Sequence, residues 1–313
     1  MSSLQAQLIA GYASKGTGSV KEHNEIDLDQ KAMETALGTA TWATAKQWYT
    51  VGGNSKTSSP YRTLQGFSTG AKGKMYDGDA LKDDGVTKVC PGCPYKHYKQ
   101  FYDYYGSFTY ADDWALAALD GTTLTFGAPA SLTFNFGDAA DAARKEAVKK
   151  GTVNMHVWMY AIREFEDAID DCQTCTANCD AFSANDAGPV RAWDEGVAFY
   201  TGSREGTDHG GNSDGKMVYR LAEKRCENFG TCGAAGGASS GISMVNSELF
   251  KAGGLFATGR DLLQQGECAK VRPIVEQIVS LMTVPLVQGT LRYAYKVPEP
   301  LTLTLALTLT PNP

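Results

Sequence analysis

The chain has 313 residues, enough to bury a full core as one large domain or two smaller ones. Its net charge is −6 and its Lys and Arg residues are scattered, which excludes a general nucleic-acid binder and favours cations as partners. Residues 1–20 contain no apolar run of signal-peptide length, and Glu276, Gln277 and Pro285 interrupt the longest apolar stretch, 274–287. We therefore expect no transmembrane segment.

The chain contains eight clustered cysteines: Cys90, Cys93, Cys172, Cys175, Cys179, Cys226, Cys232 and Cys268. An even number in short spacings predicts disulfides and an oxidising compartment. The two Cys-x-x-Cys spacings also fit zinc knuckles, and the first of them fits a redox motif, although no βαβ pattern surrounds it. We favour disulfides that pin loops, one over 172–179 and one closed by Cys226 and Cys232.

In chain order, residues 1–23 are rich in Gly, Ser and Lys, and we expect a flexible segment there. Helical periodicity follows over 27–49, and a further helix is expected from 61 to about 70. Residues 95–105 carry aromatic side chains on more than one helical face. Their tyrosines could coordinate Fe(III) as phenolates, but an aromatic core with hydroxyls at its edge is the favoured interpretation.

Two segments have strand periodicity. Apolar residues alternate on both sides of a Gly-Pro turn within 122–136, which predicts a β-hairpin. The uncharged tail 301–310 alternates Leu and Thr between prolines, so it needs a partner strand. We expect it to pair with the hairpin of its own chain or of a neighbour. Pairing with a neighbour would be strand donation and would build a homo-oligomer or filament.

Helix resumes over 139–150, and residues 153–172 form the strongest predicted helix. One face is apolar, and another carries an imidazole, a phenol and three carboxylates at steps of four, four, three and four: His156, Tyr160, Glu164, Asp167 and Asp171. Such a row could ligate a hard metal ion from the wall of a bundle. A solvated acidic face is the equally weighted alternative.

The segment 189–206 (PVRAWDEGVAFYTGSREG) has the clearest helix signals. Pro189 suits the first turn, Gly202 suits the end, and Trp193, Val197 and Tyr200 share one face. Asp194 and Glu195 border that face, and Glu205 follows in the next loop. Carboxylates beside a tyrosine hydroxyl suit Fe(III), Ca²⁺ or Mg²⁺, and we expect iron, with Ca²⁺ as the alternative ion. From spacing alone, a surface ion pair with Arg191 is favoured over a metal site.

The candidate metal ligands are therefore Glu164, Asp167, Asp171, Asp194, Glu195, Glu205, Tyr200 and His156. Beyond them, helices are expected over 217–229, 242–265, 273–282 and 286–295. The helix over 242–265 would contain Gly253, Gly254 and Gly259, which indicates close helix packing there.

The two halves of the chain echo each other. Trp193 to Thr201 matches Trp42 to Thr50 in spacing, Tyr219-Arg220 matches Tyr61-Arg62, and His156 matches His23. We therefore predict a mainly α fold built from a duplicated helical-bundle unit with disulfide-pinned loops and a small β element. The predicted parts are a flexible segment 1–23, a first repeat 24–121, the hairpin 122–137, a second repeat 138–297 and a β-strand tail 298–313.

Three stretches resemble the algal low-iron-inducible periplasmic protein family, which includes secreted iron-assimilation and high-CO₂-inducible extracellular proteins. They are 193–206 (WDEGVAFYTGSREG), 160–172 (YAIREFEDAIDDC) and 284–296 (VPLVQGTLRYAYK). The resemblance spans about 20–297 and implies a secreted protein of the periplasm, cell wall or extracellular space that helps to capture iron and is not an enzyme. The ligand candidates come from the residue patterns, not from the family.

The absence of common enzyme motifs helps to decide between function classes. The chain contains no Gly-x-Ser-x-Gly, P-loop, His-Glu-x-x-His or Rossmann glycine motif, and it lacks the paired Glu-x-x-His motifs of a di-iron bundle. We therefore predict a secreted iron-binding protein with a carboxylate site in its second half. The alternative is a structural cell-surface or extracellular polymer assembled through 301–310.

Overall fold

The computed structural model describes residues 7–15, 18–56, 61–70, 96–174, 188–206 and 214–296. Within these ranges the fold is mainly α, as predicted, with two small antiparallel hairpins. The helices are α1 (Gly18–His23), α2 (Ile26–Gly38), α3 (Trp42–Thr50), α4 (Gly66–Thr69), α5 (Lys96–Tyr105), α6 (Tyr110–Asp120), α7 (Asp141–Gly151), α8 (Trp158–Thr174), α9 (Pro189–Thr201), α10 (Val218–Phe229), α11 (Met244–Phe250), α12 (Leu255–Gln264) and α13 (Cys268–Lys296). A π-helical turn, Thr152–Val157, joins α7 to α8.

Helices α8 and α9 form the centre of the molecule and share its most extensive packing between two elements. α9 begins at Pro189, as predicted, and ends before Gly202, whose positive φ of 78° suits glycine. Gly196 lets the two helices approach closely, because a Cβ there would lie 2.7 Å from the Phe165 ring. Phe165 in turn packs on Trp193 with ring centroids 4.8 Å apart. The predicted apolar face of α9 is therefore the core of the fold.

The N-terminal residues are more ordered than the composition of 1–23 indicates. Strand β1 (Gln7–Ile9) pairs with β2 (Tyr12–Ser14), and α1 follows. Ile9, Tyr12 and Val20 are buried in the core. Burial of these three apolar side chains gives the segment a fixed place against α9, so the expectation of a flexible segment does not describe 7–15 and 18–23.

The helices near the C-terminus differ from the prediction at their breaks. The single helix expected over 242–265 is two helices, α11 and α12, because the chain turns at Gly253 with a φ of +67°. Gly259 does mark close packing: a Cβ there would lie 2.0 Å from the Trp193 ring. Conversely, the two helices expected over 273–282 and 286–295 are one helix, α13, which contains Pro273 and Pro285.

Tertiary packing allows α13 to continue through Pro285. That proline cannot donate a backbone hydrogen bond. The Trp158 side chain of α8 donates from Nε1 to the nearby Met282 carbonyl at 3.0 Å. Val275, Ile278 and Met282 are buried in the core. Packing against α8, α10 and α12 thus outweighs the proline signal.

α13 also meets the length and composition that a membrane span requires, the one helix in the described ranges to do so. Of its most apolar 18-residue window, 28% is buried inside the protein. The end of the helix leaves Val287, Leu291 and Tyr295 exposed. The expectation that no segment crosses a membrane therefore remains a prediction.

The hairpin expected over 122–136 is confirmed. Strand β3 (Thr123–Phe126) pairs antiparallel with β4 (Leu132–Asn135), with Thr123 opposite Asn135 and Phe126 opposite Leu132. Phe134 packs edge-on against Trp114 of α6, with ring centroids 4.7 Å apart. The tail 301–310 lies outside the described residues, so its pairing with this hairpin remains a prediction.

Two disulfides confirm the prediction for four of the cysteines. Cys226 and Cys232 close the Gly/Ala/Ser loop as expected. Cys172 bonds to Cys268, 96 residues further along the chain, so the expectation that it pins the loop 172–179 is wrong. Helical packing brings the end of α8 to the start of α13. The other four cysteines, Cys90, Cys93, Cys175 and Cys179, lie outside the described residues.

Candidate functional site

Glu195 is the centre of a buried charged cluster between α8, α9 and α1. Its carboxylate accepts a hydrogen bond from Arg191 Nε at 2.9 Å and one from Arg62 Nη2 at 3.3 Å. His23 Nδ1 lies 3.4 Å from Glu195 Oε1. Burial alone would raise the pKa of Glu195, but the interaction with His23 and the two guanidinium charges outweigh burial and hold it well below the usual range. Glu195 is therefore an anion at neutral pH.

Glu164 of α8 faces the same cluster with the opposite titration behaviour. It is buried, and Arg163 Nη1 donates to its Oε1 at 3.1 Å. Burial raises the pKa of Glu164 to about 7. Arg163 opposes that shift, while the negative charges of Glu195 and Asp167 add to it. Glu164 thus holds a proton for part of the time near neutral pH.

Tyr160 and its two arginines complete the group. Arg62 Nη1 donates to the Tyr160 hydroxyl at 2.9 Å, and the Arg163 guanidinium stacks over the Tyr160 ring at 4.7 Å. Burial, followed by the charge of Glu164, raises the pKa of Tyr160, so the phenol is neutral. We call this group the arginine–carboxylate cluster: His23, Arg62, Tyr160, Arg163, Glu164, Arg191 and Glu195.

The carboxylate next to Glu195 has a separate environment. Asp194 is fully buried and accepts hydrogen bonds from the Tyr12 hydroxyl and from the Lys15 backbone N–H, the latter at 2.6 Å. Successive helical side chains point about 100° apart, so Asp194 and Glu195 face different neighbours. Asp194 holds the N-terminal hairpin against α9.

Two further candidates from the 189–206 segment also lie apart from the cluster. The Tyr200 hydroxyl donates to Asn246 Oδ1 at 2.6 Å, and burial raises its pKa well above 10. Glu205 accepts a hydrogen bond from the Gly215 N–H at 3.0 Å. Burial raises the pKa of Glu205 to about 7, although Arg220 opposes the shift. Asp194, Glu205 and Tyr200 therefore do not converge on Glu195.

The acidic face of α8 is buried and is not a solvated surface. Glu164 and Asp167 are both buried, and the charge of Asp167 contributes to the raised pKa of Glu164, while Asp171 is half-buried at the end of the helix. His156 is separate: its Nε2 lies 2.8 Å from the Tyr49 hydroxyl, and Nδ1 lies 3.2 Å from the Gly151 carbonyl. Burial lowers the pKa of His156 to about 4, so it is neutral.

The structure therefore gathers Glu164, Glu195 and Tyr160, with Asp167 beside them. It adds partners that sequence reasoning missed as site residues: His23, Arg62 and Arg163. The signals were present, since His23 echoes His156 and Tyr61-Arg62 echoes Tyr219-Arg220. The Arg191–Glu195 pair was anticipated, but as a surface pair. Within the described ranges, no three His, Cys, Asp or Glu side chains are arranged to hold a metal ion.

The fold and the cluster define a mainly helical, disulfide-bonded protein with hard oxygen donors and arginines buried between its two central helices. The family model described as low iron-inducible periplasmic protein matches residues 5–252, so the chain belongs to that family. Two of the three resembling stretches, 160–172 and 193–206, lie inside the match. No curated protein and no solved structure matches the chain. The protein is periplasmic, which agrees with its disulfides.

Proposed function

We propose that the protein captures iron ions in the periplasmic space at the arginine–carboxylate cluster and is not an enzyme. The observation that carries the proposal is the convergence of Glu164, Glu195 and Tyr160 between α8 and α9, in a chain of a low iron-inducible family. Carboxylate and phenolate oxygens are hard ligands suited to Fe(III), and the His23 imidazole suits Fe(II) as well.

In the metal-free protein the arginines act as internal counter-cations. Arg62 and Arg191 donate hydrogen bonds to the Glu195 carboxylate, and Arg163 donates one to the Glu164 carboxylate. A metal ion that binds these oxygens must displace at least part of this positive charge, because adjacent cations in a buried site repel each other strongly. Iron binding is therefore an exchange in which guanidinium groups turn away and the metal replaces them.

Proton release accompanies that exchange. Metal ligands must be deprotonated, and Glu164 and Tyr160 both carry raised pKa values. Arg62, Arg163 and Glu195 surround these two groups, so a cation placed among them lowers both pKa values. Affinity for iron then falls as pH falls through about 7, which provides a route to release.

Iron titration of the purified protein, aerobic for Fe(III) and anaerobic for Fe(II), tests the proposal. The expected result is one saturable site whose affinity falls at least tenfold in Glu195→Gln and in Glu164→Gln. Glu248→Gln is the matched control, since Glu248 lies on α11 and forms an exposed ion pair with Lys251. A wild-type affinity no higher than that of the Glu195→Gln variant would contradict the proposal. A parallel Ca²⁺ titration tests whether the site binds the alternative ion instead of iron.

Asp194→Asn distinguishes the cluster from the wider set of sequence candidates. Because Asp194 binds the N-terminal hairpin, we expect this variant to retain the iron site. The predicted strand donation through 301–310 is a separate property of the chain. Light scattering with and without residues 298–313 tests it. A monomer in both cases would contradict the polymer hypothesis.

A further inference from the structure

A cleft of about 190 Å³ lies between α2, the end of α7, the π-helical turn and the start of α10. It shares no residue with the arginine–carboxylate cluster. Its lining contains one carboxylate, Glu34, and six cationic side chains: Lys149, Lys150, Lys216, Arg220, Lys224 and Arg225. We call it the basic cleft. This local excess of positive charge contrasts with the net charge of −6 for the whole chain.

Ion pairs neutralise only one side of the basic cleft. Lys149 binds Glu146 at 2.8 Å, and Lys216 binds Glu34 at 3.1 Å. The three cations of α10 are less well compensated. Among the described residues, no carboxylate lies at ion-pair distance from Arg220, Lys224 or Arg225, although the charge of Glu205 acts on Arg220 and that of Glu34 acts on Lys224. Burial, followed by the charges of Arg220 and Lys216, lowers the pKa of Lys224. These cations therefore repel one another.

Arg225 gives an independent sign of a missing acceptor. Its side chain is 6% exposed, yet its Nε and Nη1 atoms have no hydrogen-bond partner. The Nε atom of Arg220 is also buried without a partner. Buried guanidinium groups are normally hydrogen-bonded, because leaving such a donor unpaired costs the free energy of its desolvation. Both arginines line the basic cleft, so an acceptor bound there could satisfy them.

The start of α10 adds a further attraction for anions. Gly215, Lys216 and Met217 line the cleft immediately before the helix, and no side chain caps its first turn. The amide groups of a helix N-terminus carry partial positive charge and favour anions. The helix end and the lysine and arginine side chains thus act in the same direction.

We propose that the basic cleft binds a small multivalent oxyanion, either inorganic phosphate or a di- or tricarboxylate. Guanidinium groups match the oxygens of both classes in a bidentate manner. The cleft volume suits a small ion, and the net negative charge of the chain disfavours long polyanions. A multivalent anion is favoured because six cationic side chains and a single carboxylate, Glu34, line the cleft.

Calorimetric titration with phosphate, citrate and chloride at constant ionic strength tests this proposal on the full-length protein. We expect saturable binding of one phosphate or one citrate per chain, and none of chloride. Comparison of phosphate with citrate distinguishes an inorganic phosphate site from a di- or tricarboxylate site. Binding should weaken at least tenfold in Arg220→Gln and in Lys224→Gln. The matched control, Lys270→Gln, removes an exposed positive charge outside the cleft and should bind within twofold of the wild type.

Melting temperatures provide a second test of the proposal, which does not depend on measuring the affinity of a variant. In anion-free buffer of low ionic strength, Lys224→Met should melt at a higher temperature than the wild type, because it relieves the repulsion within the cleft. Phosphate or citrate should then raise the melting temperature of the wild type and leave that of Lys224→Met nearly unchanged. Equal responses in the two proteins, or equal binding to the cleft and control variants, would overturn the proposal.

Discussion

Two buried histidines, His23 on α1 and His156 in the π-helical turn, lie in opposite electrostatic surroundings. His23 contacts Glu195 in a cluster that also holds three arginines. His156 lies at hydrogen-bond distance from two uncharged groups, the Tyr49 hydroxyl and the Gly151 carbonyl. Both histidines reach across the chain to a helix of the other half.

The predicted internal alignment shows what separates the two environments. Trp42-Ala43-Thr44 matches Trp193-Asp194-Glu195, so Thr44 stands where the second half has Glu195. A buried carboxylate must be compensated by positive charge, and Arg62 and Arg191 provide that compensation. The guanidinium groups of the arginine–carboxylate cluster can be exchanged for another cation. On the His156 side, the Tyr49 hydroxyl links His156 to the Asp112 carboxylate, and no arginine takes part in these hydrogen bonds. The comparison favours the His23 side for the proposed iron site and gives the His156 side a structural role.

The largest effect is expected from Glu195→Leu, which removes the charge that distinguishes the two sides. We expect the free energy of unfolding to fall by about 3–5 kcal/mol, because Arg62 and Arg191 lose their buried partner. Urea unfolding measures the change. The surface variant Glu248→Gln should stay within about 0.5 kcal/mol of the wild type. A loss below about 1 kcal/mol in Glu195→Leu would mean that the cluster is not tightly coupled.

The pH dependence of the free energy of unfolding should have opposite signs for Glu164, on the His23 side, and for His156. Glu164 has a raised folded-state pKa of about 7, so its contribution to stability falls as pH rises from about 4.5 to 7. His156 has a lowered folded-state pKa of about 4, so its contribution rises as pH rises from about 4 to 6.5.

Unfolding midpoints measured between pH 4.5 and 7.5 separate these two contributions. Relative to the wild type, Glu164→Gln should become more stable as pH rises, since it cannot ionise. His156→Phe should become less stable relative to the wild type over the same range. Parallel curves for all three proteins would show that neither group is perturbed as described.

Tyr49→Phe should give a smaller effect, confined to the His156 side. Removing the hydroxyl leaves His156 and Asp112 without a shared partner and should cost about 1–2 kcal/mol of unfolding free energy. Iron affinity should remain within twofold of the wild type. A large loss of iron binding would place His156, rather than His23, at the metal site.

Arg191→Gln should have the smallest effect on stability, about 0.5 kcal/mol, because Arg191 is partly exposed and pairs with Glu195 one helical turn away. Its effect on iron should be opposite in sign. Removing a cation that competes for Glu195 should raise iron affinity in the same titration. Weaker iron binding in this variant would argue against an exchange between arginine and metal.

Local patterns predicted the elements that local forces determine. Helix α9 follows from Pro189, Gly202 and an apolar stripe, and the hairpin follows from period-two alternation. The prediction failed where distant packing decides: α13 continues through Pro285 beside Trp158 of α8, and residues 7–15 are ordered by contacts with α9. Neither contact can be inferred from neighbouring residues.

The cluster could be predicted only in part for the same reason. The spacing of Glu164 and Tyr160 placed both on one face of α8, and the Arg191–Glu195 pair follows from helix geometry. The remaining partners come from far along the sequence, since Arg62 and Glu195 are 133 residues apart. The burial of both carboxylates, which shifts their pKa values in opposite directions, also depends on the assembled fold.

The disulfide between Cys172 and Cys268 has a consequence for how the protein is made. It joins the end of α8, the helix that carries Glu164, to the start of α13. The bond requires an oxidising environment, so it forms only after export from the reducing cytoplasm. Because 96 residues separate the two cysteines, this bond can close only after the beginning of α13 has also left the cytoplasm. Completion of the scaffold around the cluster is thereby linked to arrival in the oxidising compartment outside the cytoplasm.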